Sequence, residues 1–334
     1  MKRFLVIQTA FIGDVILATA LVEKLHNYFP NAEIDFLLRK GNEGLLSNHP
    51  YLHRVLVWDK KKGKYKNLFN LLKQIRTTRY DVVVNVQRFA ATGMLTALSK
   101  AKTRIGFDKN PWSFAFSKKI KHVVSNDQYP IHEIARNQAL IAAFTDNVPA
   151  KPRLYPTQED FQKVADCKKG SYICIAPASV WYTKQYPKEK WIEFLSSLSG
   201  NTVYLLGGKE DQQLCEEIKK QSHGDNTIEN LAGSLSFLQS AALQKDAMMN
   251  YVNDSAPMHI ASSMNAPTTA IYCSTVPSFG FGPLSDKSFI VQTREALNCC
   301  PCGLHGFRAC PKGHFKCALT IKKGQLLSTL ASVQ

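Results

Sequence analysis

Tyr251-Val252-Asn253-Asp254-Ser255-Ala256-Pro257-Met258-His259, followed by Ile260 to Met264, reads as a strand ending in Asn-Asp, a tight turn and then a helix. Asp254 or Ser255 can cap that helix, and Pro257 suits its first turn, where a missing N–H costs nothing. The unclaimed N–H groups of such a terminus attract an anion. His259 lies in the first turns, where its ring can reach the same anion. An ordinary capped helix of an α/β sheet reads the same way, so the rest of the chain has to separate the two.

Working outward, the same strand–helix alternation runs through both halves. Phe4-Leu5-Val6-Ile7 reads as a buried strand, with Val15 to Phe29 a helix whose apolar residues fall at helical spacing. Ile34 to Leu38, Val55 to Trp58, Val82 to Val86 and Arg104 to Phe107 are further strands, with helices over Leu68 to Ile75 and Ile131 to Phe144. A proline-rich crossing, Asn147-Val148-Pro149-Ala150-Lys151-Pro152 with Tyr155-Pro156, marks a linker. Beyond it Tyr172 to Ala176, Thr202 to Leu206, Met248 to Val252 and Thr268 to Tyr272 read as strands. Helices fall over Lys188 to Leu198, Glu210 to Gln221, Phe237 to Leu243 and Pro257 to Met264. The expected fold class is α/β, with two doubly wound, Rossmann-like domains facing a central cleft. The expected bounds are 1–150, a linker 151–167, a second domain 168–317, and a final helix in 318–334 that returns toward the first domain.

Bulk properties narrow the function classes. The 334 residues are 45% apolar and 20% charged, which describes a globular protein with ample core. A formal net charge of +16 points to an anionic partner: nucleic acid, anionic lipid or a phosphorylated substrate. The first residues form a strand rather than a signal peptide, and no apolar run reaches the ~20 residues that span a bilayer. A cytoplasmic protein is expected, held by charge at most to the inner face of a membrane.

Chemistry gathers at the predicted carboxyl ends of the strands. Ala176 to Pro187 offers small residues, then Lys184, then a proline opening a helix, a pattern that admits a phosphate; a surface lysine fits it too. In Leu206-Gly207-Gly208-Lys209-Glu210-Asp211 the glycines let a ligand approach the backbone, and an acid beyond them can accept from ribose hydroxyls or favour a helix start. With the opening stretch, these loops suit a nucleoside diphosphate. In the first half, Gln8 to Gly13 leads to Asp14 at a helix start, as a cap or as a base; that location should lower its pKa.

The ordered set Ile12-Gly13-Asp14-Val15-Ile16 with Thr19, Ser179 to Lys184 before Tyr186-Pro187, and Asn253-Asp254-Ser255 with Pro257-Met258-His259 resembles the heptosyltransferases of glycosyltransferase family 9, over nearly the whole chain. The resemblance implies a GT-B fold, with the donor in the C-terminal domain and the acceptor in the N-terminal one. It also implies inverting transfer from a nucleotide-diphosphate sugar, most often ADP-L-glycero-D-manno-heptose, to the inner core of lipopolysaccharide (Kdo-lipid A or a heptosylated acceptor). On that resemblance Asp14 matches the general base and Lys184 the lysine on the donor diphosphate. Glu210 falls close to the acid on the donor ribose, and Asp254, Ser255 and His259 match the diphosphate-binding stretch. Ser179 and Ala256 complete the expected donor contacts; the family usually has glycine at the position of Ala256. The loop Cys273 to Ser278 also differs from the family's commoner Gly-Pro-Thr type.

Expected acceptor contacts are Gly13, Arg88, Lys61 and Lys64. Lysine runs at 60–66, 100–102 and 118–121 can meet lipid A phosphates, Kdo carboxylates or anionic headgroups, or simply form a solvated face. No Asp-x-Asp motif stands at a strand end, so catalysis is expected to need no metal or other cofactor. Cys299, Cys300, Cys302, Cys310 and Cys317 cluster late in the chain, and Cys300, Cys302, Cys310 and Cys317 are a candidate structural zinc cluster, though not spaced as paired CxxC. A monomer is expected, with no nucleic-acid partner. Rival readings are a transferase of the same family with another sugar or glycan, a nucleotide-sugar hydrolase, and a non-enzymatic nucleic-acid-binding protein. The last would want aromatic residues interleaved with the basic runs.

Overall fold

Two sheets of six strands organise the chain, and every neighbouring pair of strands is parallel. The computed structural model describes residues 1–126 and 128–333. The chain divides into two compact units, Met1–Tyr155 and Pro156–Gln334, so the boundary falls inside the expected linker.

The first unit runs β1 (Arg3–Ile7), α1 (Ile12–Tyr28), β2 (Glu33–Arg39), β3 (Arg54–Trp58), α2 (Lys64–Thr78), β4 (Val82–Asn85), α3 (Ala90–Ala97), β5 (Thr103–Phe107), β6 (Lys118–Ile120) and α4 (Glu133–Gln138). Its strand order is β3-β2-β1-β4-β5-β6. The second unit runs α5 (Gln158–Lys163), β7 (Tyr172–Ala176), α6 (Lys188–Leu195), β8 (Thr202–Leu205), α7 (Gln212–Gln221), β9 (Thr227–Asn230), α8 (Phe237–Lys245), β10 (Met249–Asn253), α9 (Ala256–Ser263), β11 (Thr268–Tyr272), β12 (Ser288–Gln292), α10 (Lys316–Leu319) and α11 (Lys323–Ala331). Its order, β12-β11-β10-β7-β8-β9, is the same topology seen from the other edge. In each sheet the chain leaves the first strand toward one edge and then crosses back to pair on the other side, the doubly wound Rossmann pattern.

The central strands explain why these elements form. Phe4, Leu5, Val6 and Ile7 are wholly buried, and β7 and β10 are buried at every position. Strands apolar on both faces need helices on both faces. Helix α1 supplies one cover and is itself buried from Val15 to Leu25, so it is a core helix rather than an amphipathic surface one. In the second unit Trp191, Phe194, Tyr251, Leu326 and Leu330 share one core.

Several elements depart from the sequence reading. The helix expected over Ile131 to Phe144 breaks after Gln138, whose side-chain amide donates to the Asp146 carbonyl at 2.5 Å and folds the chain back. The expected final helix is two, α10 and α11, and α11 packs against α6 and β12 within the second unit. Strands β6 and β9 have no apolar run to announce them, and β12, although it carries Phe289-Ile290-Val291, is half exposed along its length as they are. They are edge strands, formed because β5, β8 and β11 offer open ladders of N–H and C=O groups. Among the described residues no helix is long and apolar enough to cross a membrane.

Candidate functional site

Each sheet reverses its strand order beside its first strand, between β1 and β4 and between β7 and β10. At such a point the loops leaving the carboxyl ends diverge and open a crevice. The stretch that begins the sequence reading sits there: Asn253 ends β10, and α9 starts at Ala256.

Asn253 is wholly buried and stitches the crevice together. Its side-chain N–H group donates to the Pro177 carbonyl at 2.8 Å, with the Ala176 and Ala178 carbonyls each at 3.4 Å, and its Oδ1 accepts from the Tyr186 N–H at 2.9 Å. The loop after β7 is thereby held against the end of β10. That loop delivers Lys184, whose Nζ lies 2.6 Å from Asp254 Oδ2; the same oxygen accepts from the Thr275 hydroxyl at 2.7 Å. Asp254 therefore neither caps α9 nor stands free for a ligand. Ser255 is the N-cap residue but its side chain does not cap; it donates to the Asn253 carbonyl at 3.4 Å. Helix α9 thus presents a first turn without a side-chain cap, with Ala256 first in it and Pro257 second. His259 is buried one turn further on.

The cysteine-rich segment turns out to brace this lysine. Buried Thr183 exchanges hydrogen bonds with Phe307, backbone to backbone at 3.1 Å and Phe307 N–H to Thr183 Oγ1 at 2.8 Å, and Ser274 donates to the same hydroxyl at 3.0 Å. The Cys302 N–H donates to the Ser274 carbonyl at 2.8 Å. Gly306, at φ +78°, lies so close that a Cβ would sit 2.9 Å from Lys184 Cγ. Among the described residues no three His, Cys, Asp or Glu side chains are grouped to hold a metal ion. The thiols of the expected cluster lie near one another: Cys302 donates to the Cys299 carbonyl at 2.7 Å and has Cys300 and Cys310 as neighbours, and Cys317 pairs with Cys300, which lowers the Cys300 pKa and raises that of Cys317.

At the end of β8 the two acids part company. Asp211 accepts from the Gly208 N–H at 2.8 Å, and burial raises its pKa. Glu210 stays exposed with its carboxylate against Gly208, where a Cβ would lie 2.7 Å from Glu210 Oε2. Ser179 is half-buried in the loop after β7, its carbonyl accepting from the Gln185 side chain at 2.6 Å.

In the first unit the corresponding position belongs to the Thr9–Asp14 loop. The Thr9 hydroxyl donates to Gln87 Oε1 at 2.6 Å, tying the loops after β1 and β4 together. Gly13 and Asp14 lie inside α1, which starts at Ile12, and the Asp14 carboxylate reaches back to accept from the Phe11 N–H at 3.1 Å. The expected lowering of its pKa is corrected: burial, then the negative charge of Glu133, raises it to about 6, outweighing the helix terminus and Arg39. Lys60, one of a run of lysines in sequence, is the lysine that turns inward. Its Nζ donates to the Thr9 carbonyl at 2.7 Å, and burial with the charges of Arg39 and Lys64 lowers its pKa to about 8. Lys61, Lys64 and Arg88 are exposed. Glu133 and Arg39 were legible only as surface charges, since neither stands near Asp14 in sequence.

The chain aligns with known proteins over most of its length. It is 25% identical over 285 residues to the lipopolysaccharide core heptosyltransferase OpsX of Haemophilus influenzae, covering 81% of this chain and 79% of that one. The fold is similar to that of the glycosyltransferase family 9 protein of Veillonella parvula, with a TM-score of 0.84 at 19% identity over 99% and 97% of the two chains. It is similar also to E. coli ADP-heptose LPS heptosyltransferase II, with a TM-score of 0.77 at 21% identity over 100% and 98%. These likenesses identify the pair of Rossmann-like units as a GT-B fold. The family model for glycosyltransferase family 9 (heptosyltransferase) matches residues 68–304, and the chain belongs to that family of transferases.

Proposed function

We propose that this enzyme transfers heptose from ADP-L-glycero-D-manno-heptose to the inner core of a lipopolysaccharide precursor, Kdo-lipid A or a heptosylated form of it, with inversion at the anomeric carbon. The observation that carries the reading is the Lys184–Asp254 pair, 2.6 Å apart beside the α9 terminus that no side chain caps. A fixed ammonium and outward N–H groups at a topological switch point match a diphosphate. The names of the relatives, lipopolysaccharide heptosyltransferases among them, supply the sugar and the acceptor.

In this reading Lys184 and the first turn of α9 receive the charge that develops on the leaving ADP, without a divalent ion. Ala256 and Ser255 contribute backbone N–H groups, His259 supports that turn, and exposed Glu210 accepts from the donor ribose. Asp14 takes the proton of the acceptor hydroxyl as its oxygen bonds to the anomeric carbon and the bond from that carbon to the β-phosphate oxygen breaks. A carboxylate with a pKa of about 6 is ionised at neutral pH and basic enough to share the proton in the transition state. Gly13, Lys61, Lys64 and Arg88 are the proposed acceptor contacts.

The test is depletion of ADP-heptose with and without Kdo-lipid A. The proposal expects consumption that depends on acceptor and is lost in Asp14→Ala. Equal consumption without acceptor would make the protein a hydrolase, and undiminished transfer by Asp14→Ala would remove the base.

A further inference from the structure

Between Asp59 and Asp81 the chain carries Lys60, Lys61, Lys62, Lys64, Lys66, Lys73, Arg76 and Arg79 and no carboxylate. Helix α2 sorts this stretch. Leu68, Leu71, Leu72 and Ile75 are buried against the sheet, whereas Tyr65 and Phe69 are 70% and 61% exposed. Residues four apart share a helix face, so Tyr65, Phe69 and Lys73 form one line, which Arg76 continues. At the C-terminal end of α2 a surface cavity of ≈ 790 Å³ opens, lined by Phe69, Leu72, Lys73, Arg76, Arg79 and Lys100, among others. Lys102, also at its rim, is paired with Asp81 at 2.7 Å. Among the described residues Lys73, Arg76, Arg79 and Lys100 have no ion-pair partner. The Tyr80 hydroxyl donates to Asp35, which is buried and already ion-paired with Arg54, so no free carboxylate offsets the four cations from below.

The cavity is not part of the site described above. Arg79 and Lys100 precede β4 and β5, so the cavity lies at the amino ends of the strands, whereas Thr9, Asp14 and Gln87 follow the carboxyl ends of β1 and β4.

We propose that the exposed face of α2 and the cavity at its end form a docking surface for an anionic bilayer, the cations meeting headgroup phosphates and Tyr65 and Phe69 entering the interface. Charge complementarity selects the occupant, since unpaired lysines and arginines gain affinity from a negatively charged lipid surface. The two aromatics select a bilayer over nucleic acid: they stand side by side on a convex helix flank, which suits a headgroup layer better than stacking of bases in a groove. The inference rests on the lipid-linked acceptor of the proposed function for its purpose, but its test uses neither donor nor acceptor, so the two fail separately.

The experiment is co-sedimentation of the full chain with vesicles of phosphatidylcholine alone or with about one-third phosphatidylglycerol. Binding is expected to the anionic vesicles and to fall by about 30-fold or more in K73E/R76E, which reverses two charges. K219E/K220E, an equal charge change on α7, is expected to bind as wild type does. Phe69→Ser is expected to weaken binding with no charge change, and thermal melts establish that each variant is folded. Equal binding to neutral and anionic vesicles, or equal binding by K73E/R76E and K219E/K220E, overturns the proposal. So does retention of RNA oligonucleotides in preference to anionic vesicles through the same residues.

Discussion

Lys184 Nζ and Asp254 Oδ2 are 2.6 Å apart, with side chains only 15% and 9% exposed, although the residues come from different loops of the second sheet. Asp254 thus fixes the lysine rather than the ligand. Losing one member of such a pair leaves the other charge poorly solvated. Lys184→Ala is expected to weaken ADP binding by about 100-fold, because an unpaired Asp254 carboxylate then faces the diphosphate. Lys184→Ala/Asp254→Ala is expected to lose less than the two single changes combined, which calorimetry of ADP binding checks as a double-mutant cycle.

Asp14 has a folded-state pKa of about 6 against a reference of 3.8. The rate of transfer should rise through about pH 6 as the carboxylate loses its proton, and Glu133→Gln should move that limb to lower pH by removing a like charge. The linkage runs the other way for stability. The folded state binds this proton more tightly than the unfolded chain, so ionisation costs stability as pH rises from about 4 through about 6. Asp14→Asn is expected to lower kcat by about 10²–10⁴ while raising Tm at about pH 8 and not at about pH 4. A pH-independent change in Tm would count against a perturbed Asp14.

Asn253 holds the loop after β7 through the Pro177 carbonyl and the Tyr186 N–H. Asn253→Ala leaves those buried groups unpaired and is expected to cost about 2–3 kcal/mol in denaturant unfolding. Asn253→Asp, which removes the donor but keeps the acceptor, should be harmful too, with donor KM raised as Lys184 loses its support.

Gly306 sits at φ +78° with Lys184 Cγ 2.9 Å from where a Cβ would be, whereas Gly313 sits at φ +72° with nothing within 4 Å. Both Gly→Ala changes incur a left-handed backbone penalty of about 1 kcal/mol. Only Gly306→Ala should also displace Lys184 and raise the donor KM. If the two variants behave alike in a transfer assay, the cysteine-rich segment has no part in positioning the lysine.

Much of this protein is local in sequence. Phe4 to Ile7, Tyr172 to Ala176 and Met249 to Asn253 announce buried parallel strands because apolar side chains on both faces leave no polar alternation. Ala256-Pro257 announces a helix start because the fixed φ and missing N–H of proline act within one turn. The alternation of such elements was enough to imply two doubly wound units, and Asp14, Lys184 and Glu210 could be singled out because strand ends are where loops carry chemistry.

Tertiary structure alone decided which partner each of those residues took. Asp254 reads as a helix cap but spends its carboxylate on Lys184 and Thr275, which arrive from two other loops. Asp14 reads as an acid stabilised by a helix terminus, yet burial and Glu133, more than a hundred residues away in sequence, push its pKa upward. Strands β6 and β9 carry no apolar run and form where a neighbouring strand leaves its edge unpaired. The physical reason is common to all three: backbone propensity and capping depend on neighbours within a few residues, whereas desolvation, ion pairing and strand addition depend on whatever the fold brings alongside.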